Sequence, residues 1–294
     1  MKIVWGYEPK SQNNEAAKGM VKLLGQFASG TYDINIGCVV TENEVYLHPA
    51  HKLPPKERFS KYPKDLILAD LKSAKIQLKP SAVHILHHRT LSTTAAVDQL
   101  LGFAKARRAK LIALFTHNRT GIKRLVMGSF AETAVHRSQI DLLLAGPKTQ
   151  FPDRVRNVLF ASDFAPDSKR DLRRVLELCK RMGARLTVFH AARITSKWSP
   201  LNEDNPEIQA FRRMTRKMVD WIETECKKAD VPCSIVIKVE FESISDLALK
   251  AARKAKADLI VVSAKVGPLA ALMGGSVTRN IVRLGSHPVL ILKK

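Results

Sequence analysis

Two Gly-Ser pairs carry the first chemical suggestion in this sequence. Gly128-Ser129 and Gly275-Ser276 each open an amphipathic stretch. The first amides of a helix have no partner within it. A helix start with a hydroxyl and no bulky side chain can therefore cradle a phosphate. Asp163 offers a second chemistry. It ends the buried-strand run Asn157-Val158-Leu159-Phe160-Ala161-Ser162, where a carboxylate can accept hydrogen bonds from a base or ribose edge. It can equally belong to the start of the next helix, beside Asp167 or Ser168, since Asp is a preferred N-cap. His84, His87 and His88 invite a metal reading. A strand puts His84 and His88 on one face and His87 on the other, so at most two converge. No Cys or second His motif nearby in sequence completes a tetrahedral site. These histidines read as structural, and His190, ending another strand, reads as packing or as a neighbour of a bound base. Of the four cysteines, none forms a C-x-x-C pair, and Cys179 and Cys226 fall on apolar helix faces as small hydrophobes.

These residues need elements to position them, and the elements repeat. The run Leu111-Ile112-Ala113-Leu114-Phe115-Thr116 leads through a loop to Gly128-Ser129 and on to Leu142-Leu143-Leu144-Ala145-Gly146. The run Leu259-Ile260-Val261-Val262-Ser263 leads likewise to Gly275-Ser276-Val277 and Pro288-Val289-Leu290-Ile291-Leu292. The offset is 148 across the strand and 147 from the Gly-Ser pair onward, so the second loop is one residue shorter. The openings match too: Lys2-Ile3-Val4-Trp5-Gly6-Tyr7-Glu8 aligns with Asn157-Val158-Leu159-Phe160-Ala161-Ser162-Asp163. In the second copy, short Val/Ile/Leu strands near 157–162, 185–191, 234–241, 258–263 and 288–293 alternate with helical patterns. Continuously apolar strands are those of a parallel sheet covered on both faces. One helical stripe is Leu172, Val175, Leu176, Cys179 and Met182. A second, over 206–229, runs Ile208, Phe211, Met214, Met218, Trp221 or Ile222, and Glu225 or Cys226. Strict alternation implies right-handed crossovers. The expectation is two tandem, doubly wound, parallel five-stranded sheets with helices on both faces: copy one at 1–146, a linker at 147–154 and copy two at 155–294. An irregular insertion occupies 41–64.

The run Thr120-Gly121-Ile122-Lys123-Arg124-Leu125-Val126-Met127-Gly128-Ser129, its counterpart Gly275-Ser276-Val277-Thr278-Arg279, and His287-Pro288-Val289-Leu290-Ile291 resemble the universal stress protein family in its tandem form. The resemblance covers nearly the whole chain and implies a Rossmann-like, adenine-nucleotide alpha-hydrolase-like fold. ATP-binding members carry G-x2-G-x9-G-(S/T) and an aspartate ending strand one. In copy one the last pair is Gly128 and Ser129, the first two glycine positions are Phe115 and Asn118, and the strand-one acid is Glu8. In copy two Asp163, Gly275 and Ser276 match, Ser263 falls near the first glycine, and Lys265 or Val266 near the second. Lys265 offers a charge in place of amides. The resemblance therefore implies ATP or another adenine nucleotide, with its associated Mg, in copy two. The candidate contacts are Ala161, Ser162, Asp163, His190, Ser263, Lys265, Gly267, Gly274, Gly275, Ser276 and Val277. Glu8, Asn118, Gly128 and Ser129 are a weaker set in copy one. It also implies pairing of the last strands, 141–146 with 288–293, as an internal pseudo-dimer, with homodimerisation left open.

Composition narrows the remaining classes. The 294 residues are 45% hydrophobic and 26% charged, which is globular and excludes a disordered chain or disulfide-stapled mini-protein. Lys plus Arg number 49 against 27 acids, a formal charge of +22. Residues 1–150 hold 22 basic and 11 acidic groups and residues 151–294 hold 27 and 16, so each half carries +11 and neither is a basic arm. Such a field draws polyanions, but aromatics are only 6% and no basic-aromatic interleaving or helix-turn-helix marks specific nucleic-acid readout. No P-loop, G-x-S-x-G elbow or paired catalytic acids appear, so a weak ATPase is the most an enzyme reading allows. Without a signal segment or long apolar run the expectation is a soluble, cytoplasmic, non-catalytic stress protein that binds or senses nucleotide. The alternative is a nucleotide-free tandem scaffold, or one that binds another small ligand or a polyanion.

Overall fold

The computed structural model describes residues 1–8, 13–28, 33–41, 60–88, 92–116, 129–165, 168–193, 206–240, 242–263 and 275–293. In copy one the elements are β1 (Lys2–Gly6), α1 (Asn14–Phe27), β2 (Asp33–Thr41), α2 (Tyr62–Ser73), β3 (Val83–His88), α3 (Thr93–Ala106), β4 (Leu111–Phe115), α4 (Ser129–Arg137) and β5 (Asp141–Ala145). Copy two adds β6 (Asn157–Ala161), α5 (Ser168–Met182), β7 (Arg185–Arg193), α6 (Pro206–Ala229), β8 (Cys233–Glu240), α7 (Ile244–Lys254), β9 (Leu259–Ser263), α8 (Gly275–Leu284) and β10 (Val289–Leu292). Helix starts follow local chemistry. Asn13 Oδ1 accepts from the Ala16 amide at 2.8 Å to open α1, and Ser243 Oγ accepts from Asp246 at 3.2 Å to open α7. Most of the 41–64 insertion lies outside the described residues. The part that is described already contains the start of α2, where Pro63 sits in the first turn and needs no amide partner.

All ten strands form one sheet in the order β3-β2-β1-β4-β5-β10-β9-β6-β7-β8. Each five-stranded half is parallel and doubly wound. The halves join where β5 and β10 pair antiparallel, Val289 opposite Leu144 and Ile291 opposite Leu142. This is the meeting of last strands that the family resemblance implies. Antiparallel joining across a twofold keeps equivalent helices on the same side. One core therefore gathers Met20 of α1, Ile67 of α2, Leu172 of α5 and Ile222 of α6; the other gathers Val97 of α3, Ala131 of α4, Leu247 of α7 and Ile281 of α8. Strand alternation feeds both cores, with Ile3 and Trp5 in the first and Val4 in the second.

Polar contacts lock the seam. Asp141, at the start of β5, accepts from the Lys293 amide at 2.8 Å and from Arg174 at 2.5 Å, while Arg174 also donates to the Lys293 carbonyl at 2.9 Å. The Lys293 ammonium is buried and donates to the Val135 carbonyl near the end of α4. Burial pulls its pKa down to about 8. Arg279 of α8 meets Glu132 of α4 at 2.8 Å. The stripe expected on 168–182 is buried throughout, but the one on 206–229 is not. Ile222 and Cys226 are buried, whereas Met214 is 47% exposed. At 1.5 Å per residue the 24-residue α6 outruns the eight-residue edge strand β8 beside it, so its first half has little sheet to cover.

Candidate functional site

The strand order of copy two reverses between β6 and β9. Open parallel sheets bind ligands beyond the carboxyl ends of such strands. Ala161 pairs with Val262, so the next residues, Ser162 and Ser263, stand side by side at the carboxyl ends of the two strands. Ser162 is buried, its amide donates to the Phe189 carbonyl at 2.9 Å, and its Oγ accepts from the Phe164 amide at 3.2 Å. That last bond holds Phe164 at φ 55°, a left-handed conformation costing a non-glycine residue roughly 1–2 kcal/mol. The reward is placement. Phe164 stacks on His190 with ring centroids 4.1 Å apart and planes 9° from parallel, and Phe211 of α6 lies 6.2 Å from the same imidazole.

His190 is buried and bonds to the Ser162 carbonyl at 2.9 Å through Nδ1. A carbonyl only accepts, so Nδ1 carries the proton. Burial lowers the His190 pKa, outweighing the Ser162 carbonyl and the Asp163 charge, so the ring is neutral near pH 7 with Nε2 as an acceptor. Asp163 is exposed at the strand end. Its Oδ1 accepts from the Ala165 amide at 3.0 Å and from Ser168 Oγ at 2.9 Å, which ties it to the start of α5. Ser263 Oγ is buried with no hydrogen-bond partner among the described residues. An unsatisfied hydroxyl of this kind costs on the order of 1–3 kcal/mol and calls for a ligand or water. α8 begins at Gly275; Ser276 is in its first turn, and Val277 packs partly buried on the second core. Ala161 packs on that same core. Lys265, Gly267 and Gly274 lie outside the described residues.

The equivalent end of copy one is aromatic. Tyr7 stands where copy two has Ser162, and Phe115 where it has Ser263. Tyr7 is buried, stacks edge-on against Trp5 at 4.9 Å and donates to Asp70 at 3.4 Å. Phe115 lies 6.3 Å from Trp5 and 6.1 Å from Phe151 of the connector between copies. Glu8 and Ser129 are exposed, and Asn118 and Gly128 lie outside the described residues. A cavity of about 460 Å³ opens between α1 and this connector, lined by Lys18, Lys22, Phe115, Thr116, Phe151 and Asp153 among others. Its cations are paired, Lys18 with Glu15 at 2.7 Å and Lys22 with Asp153 at 2.9 Å. Sequence reasoning missed the cavity and the Phe164–His190 stack, both of which depend on residues far apart in the chain. The positive φ of Phe164, which sets up the stack, belongs to the fold and is not readable from residue types.

The histidine strand is structural in its contacts. His84 meets Arg107 at 3.2 Å and packs on Phe103 at 5.0 Å, while His87 contacts Ser60 at 3.2 Å. Among the described residues no three His, Cys, Asp or Glu side chains are grouped to hold a metal. No helix among them is long and apolar enough to cross a membrane.

The universal stress protein family model matches residues 2–145 and again 154–293. The chain belongs to the universal stress protein family. It does so twice over, once in each copy. Solved structures agree on the fold. A universal stress protein from Archaeoglobus fulgidus DSM 4304 superimposes with TM-score 0.65 at 15% identity, over 100% of this chain and 96% of that one. A putative universal stress protein from Pseudomonas aeruginosa UCBPP-PA14 gives TM-score 0.62 at 16% identity, over 99% and 92%. No curated protein matches the sequence. This universal stress protein is thus a tandem one, with its two copies in a single continuous sheet.

Proposed function

We propose that this universal stress protein binds an adenine nucleotide, ATP foremost, in copy two, as a non-catalytic nucleotide sensor of a cytoplasmic stress response. The observation that carries the reading is the serine pair at the β6/β9 switch point, with Ser263 Oγ buried and unpartnered among the described residues. The donor set fits the ligand. Asp163 and the neutral His190 supply acceptors for base amino or ribose hydroxyl groups, and the Phe164–His190 stack supplies a flat apolar wall. The amides opening α8 at Gly275 and Ser276, together with Lys265, would address the phosphates. A bound nucleotide brings Mg as its counter-ion; the chain's part is to bind and orient. Copy one, filled by Tyr7 and Phe115, would then stand as the degenerate partner.

Mass spectrometry of ligand released from the purified full-length protein, followed by ATP titration of the wild type and Asp163→Ala, tests this. Expected are an adenine nucleotide carried through purification and an affinity loss of about tenfold in the variant. No carried nucleotide and no binding at millimolar ATP would sink the reading. A second reading, polyanion binding, has one observation in its favour: Arg212, Arg213, Arg216 and Lys217 are exposed together on α6. It predicts affinity for a generic polyanion that collapses between low and physiological salt; salt-independent binding excludes it.

A further inference from the structure

Asn35 of β2, His84 of β3 and Arg107 at the end of α3 come together on one face of copy one. Strand alternation puts them there. Ile34, Ile36 and Val83 belong to the first core, so Asn35 and His84 face α3 on the other side. Arg107 Nη1 donates to Asn35 Oδ1 at 3.2 Å, and Nη2 meets the two ring nitrogens of His84 at 3.2 and 3.4 Å. Phe103, one turn back on α3, has its ring 5.2 Å from the guanidinium and 5.0 Å from the imidazole. Strand register identifies the equivalent positions in copy two. Trp5 pairs with Ile36 and Ile36 with Val83, as Phe160 pairs with Val188 and Val188 with Ile235. Asn35 therefore corresponds to Thr187 and His84 to Val236, while Arg107, the C-cap of α3, corresponds to Ala255, the C-cap of α7. Thr187 bonds to Ser234 at 3.0 Å and Val236 packs on the second core. Copy two builds the same scaffold without the trio, so the trio is not a requirement of the fold.

Two needs stand open in this cluster. Asn35 is only 4% exposed, yet its Nδ2 has no acceptor among the described residues. Oδ1 takes the Arg107 proton, so the amide orientation is fixed and Nδ2 is the end that lacks a partner. The guanidinium meets an amide oxygen, an imidazole and a ring, but no carboxylate among the described residues. We propose that Asn35, His84 and Arg107 form an oxyanion site of the phosphate class on copy one, for inorganic phosphate or the phosphate group of a small monoester. One ligand oxygen accepts from Asn35 Nδ2 and others pair with the guanidinium fork. The two donors suit a single ion, because Nδ2 shares its carbon with the oxygen that Arg107 holds at 3.2 Å. His84 and Arg107 are partly exposed, which leaves the ion a way in. Lys105, Arg108 and Lys110 are exposed on the same end of α3 and favour a dianion over a carboxylate. His84 is held neutral first by burial and then by the Arg107 and Lys64 charges, against the single acid Asp33. An anion arriving beside it draws a proton onto the ring, which then donates to the ligand. This site lies near the amino ends of strands in copy one and is independent of the nucleotide reading, which uses the carboxyl ends in copy two.

The test follows the His84 ring in the full-length protein by proton–carbon NMR, with the resonance assigned by its loss in His84→Gln. Sodium phosphate, phenyl phosphate and sodium acetate are titrated in turn at constant ionic strength and pH. Expected are a saturable shift of the His84 signal with phosphate, binding of acetate at least tenfold weaker, and a His84 pKa raised by about one unit when phosphate is bound. Tighter binding of phenyl phosphate than of inorganic phosphate assigns the site to a monoester, and the reverse order to the free ion. Arg107→Ala and Asn35→Thr import the residues of copy two and weaken phosphate at least tenfold; Arg107→Lys keeps the charge, loses the fork and falls between. A shift that never saturates, one that acetate reproduces equally, or one that survives Arg107→Ala would overturn the assignment. A saturable shift confined to His190 would place the ion in copy two and overturn it as well. The wild-type titration against acetate decides alone should a variant fold poorly.

Discussion

The two copies carry the same scaffold to opposite ends. Copy one closes its switch point with Tyr7 and Phe115, and the connector lays Phe151 over them. Copy two leaves Ser162 and Ser263 there, one satisfied by its own turn and one unpartnered among the described residues. The helices that follow the first strands diverge in the same sense. A Cβ on Gly19 of α1 would lie within 2.6 Å of the Phe151 ring, so that helix needs glycine to admit the connector. The equivalent position on α5 is Arg174, which reaches across the seam to Asp141 instead. Hydrophobic closure and polar openness are thus alternative uses of one strand end. In copy one the rings convert that end into packing, and the connector finds its anchor there.

The sharpest way to break this contrast is to import copy one's ring into copy two. If the proposed nucleotide site is right, Ser263→Phe lowers ATP affinity by about a hundredfold or more, close to 3 kcal/mol, by filling the space the ligand needs. Far-ultraviolet circular dichroism should remain native, because the position tolerates a ring in the other copy. Unchanged ATP affinity in Ser263→Phe would remove the switch point from the binding site. The reciprocal exchange, Phe115→Ser, should cost about 2–3 kcal/mol in urea unfolding, less than a fully buried Phe because the side chain is only half covered. A loss below 0.5 kcal/mol would mean that the aromatic cluster does not hold the connector.

A third comparison sits at the ends of the last strands, where copy one has Gly146 and copy two has Lys293. The folded pKa of Lys293 is about 8 against an ordinary 10.5. Between those values the unfolded chain keeps a proton that the folded chain releases, so stability rises as pH climbs through that window. Below about 8 both states hold the proton, and the burial cost of the ammonium stands in full. Lys293→Met should remove this rise, worth about 2–3 kcal/mol by the linkage relation, and leave the protein no less stable at pH 7. The measurement is urea unfolding of both proteins at pH 7 and pH 10. Parallel pH dependence in the two would show that the ammonium is solvated in the folded state.

Much of this arrangement was legible from residues alone, and the parts that were not share a cause. Apolar runs such as Leu259–Ser263 define parallel strands because both faces are covered, and the stripe on 168–182 defines a helix because its period matches 3.6. The repeat then implies that both halves share one architecture, while the order of strands in the sheet comes from the fold. Met214 fails because amphipathicity reports what a helix could bury, whereas burial depends on how far the neighbouring sheet extends. The site divides the same way. Asp163 could be named from its place at a strand end, yet its commitment to Ala165 and Ser168 depends on the turn geometry. Tyr7, Phe151 and the cavity beside them emerge only when chain segments more than a hundred residues apart meet.

His190 gives the finest test, because it distinguishes the neutral stack of copy two from a merely polar strand end. Its folded pKa lies below the ordinary value of 6.5, chiefly through burial. As pH falls through 6.5 the unfolded chain takes up a proton that the folded imidazole refuses, so stability declines from there down to the folded pKa and then levels. His287 in copy two and His84 in copy one are shifted in the same direction, also first by burial, and add to the acid loss. His84 is less buried than His190, so its share is the smaller. His190→Gln should therefore flatten the decline between pH 6.5 and pH 5 more than His84→Gln does, in urea unfolding at matched ionic strength. Equal flattening in the two variants would mean that the Phe164–His190 stack opens to water, and with it the apolar wall assigned to the base.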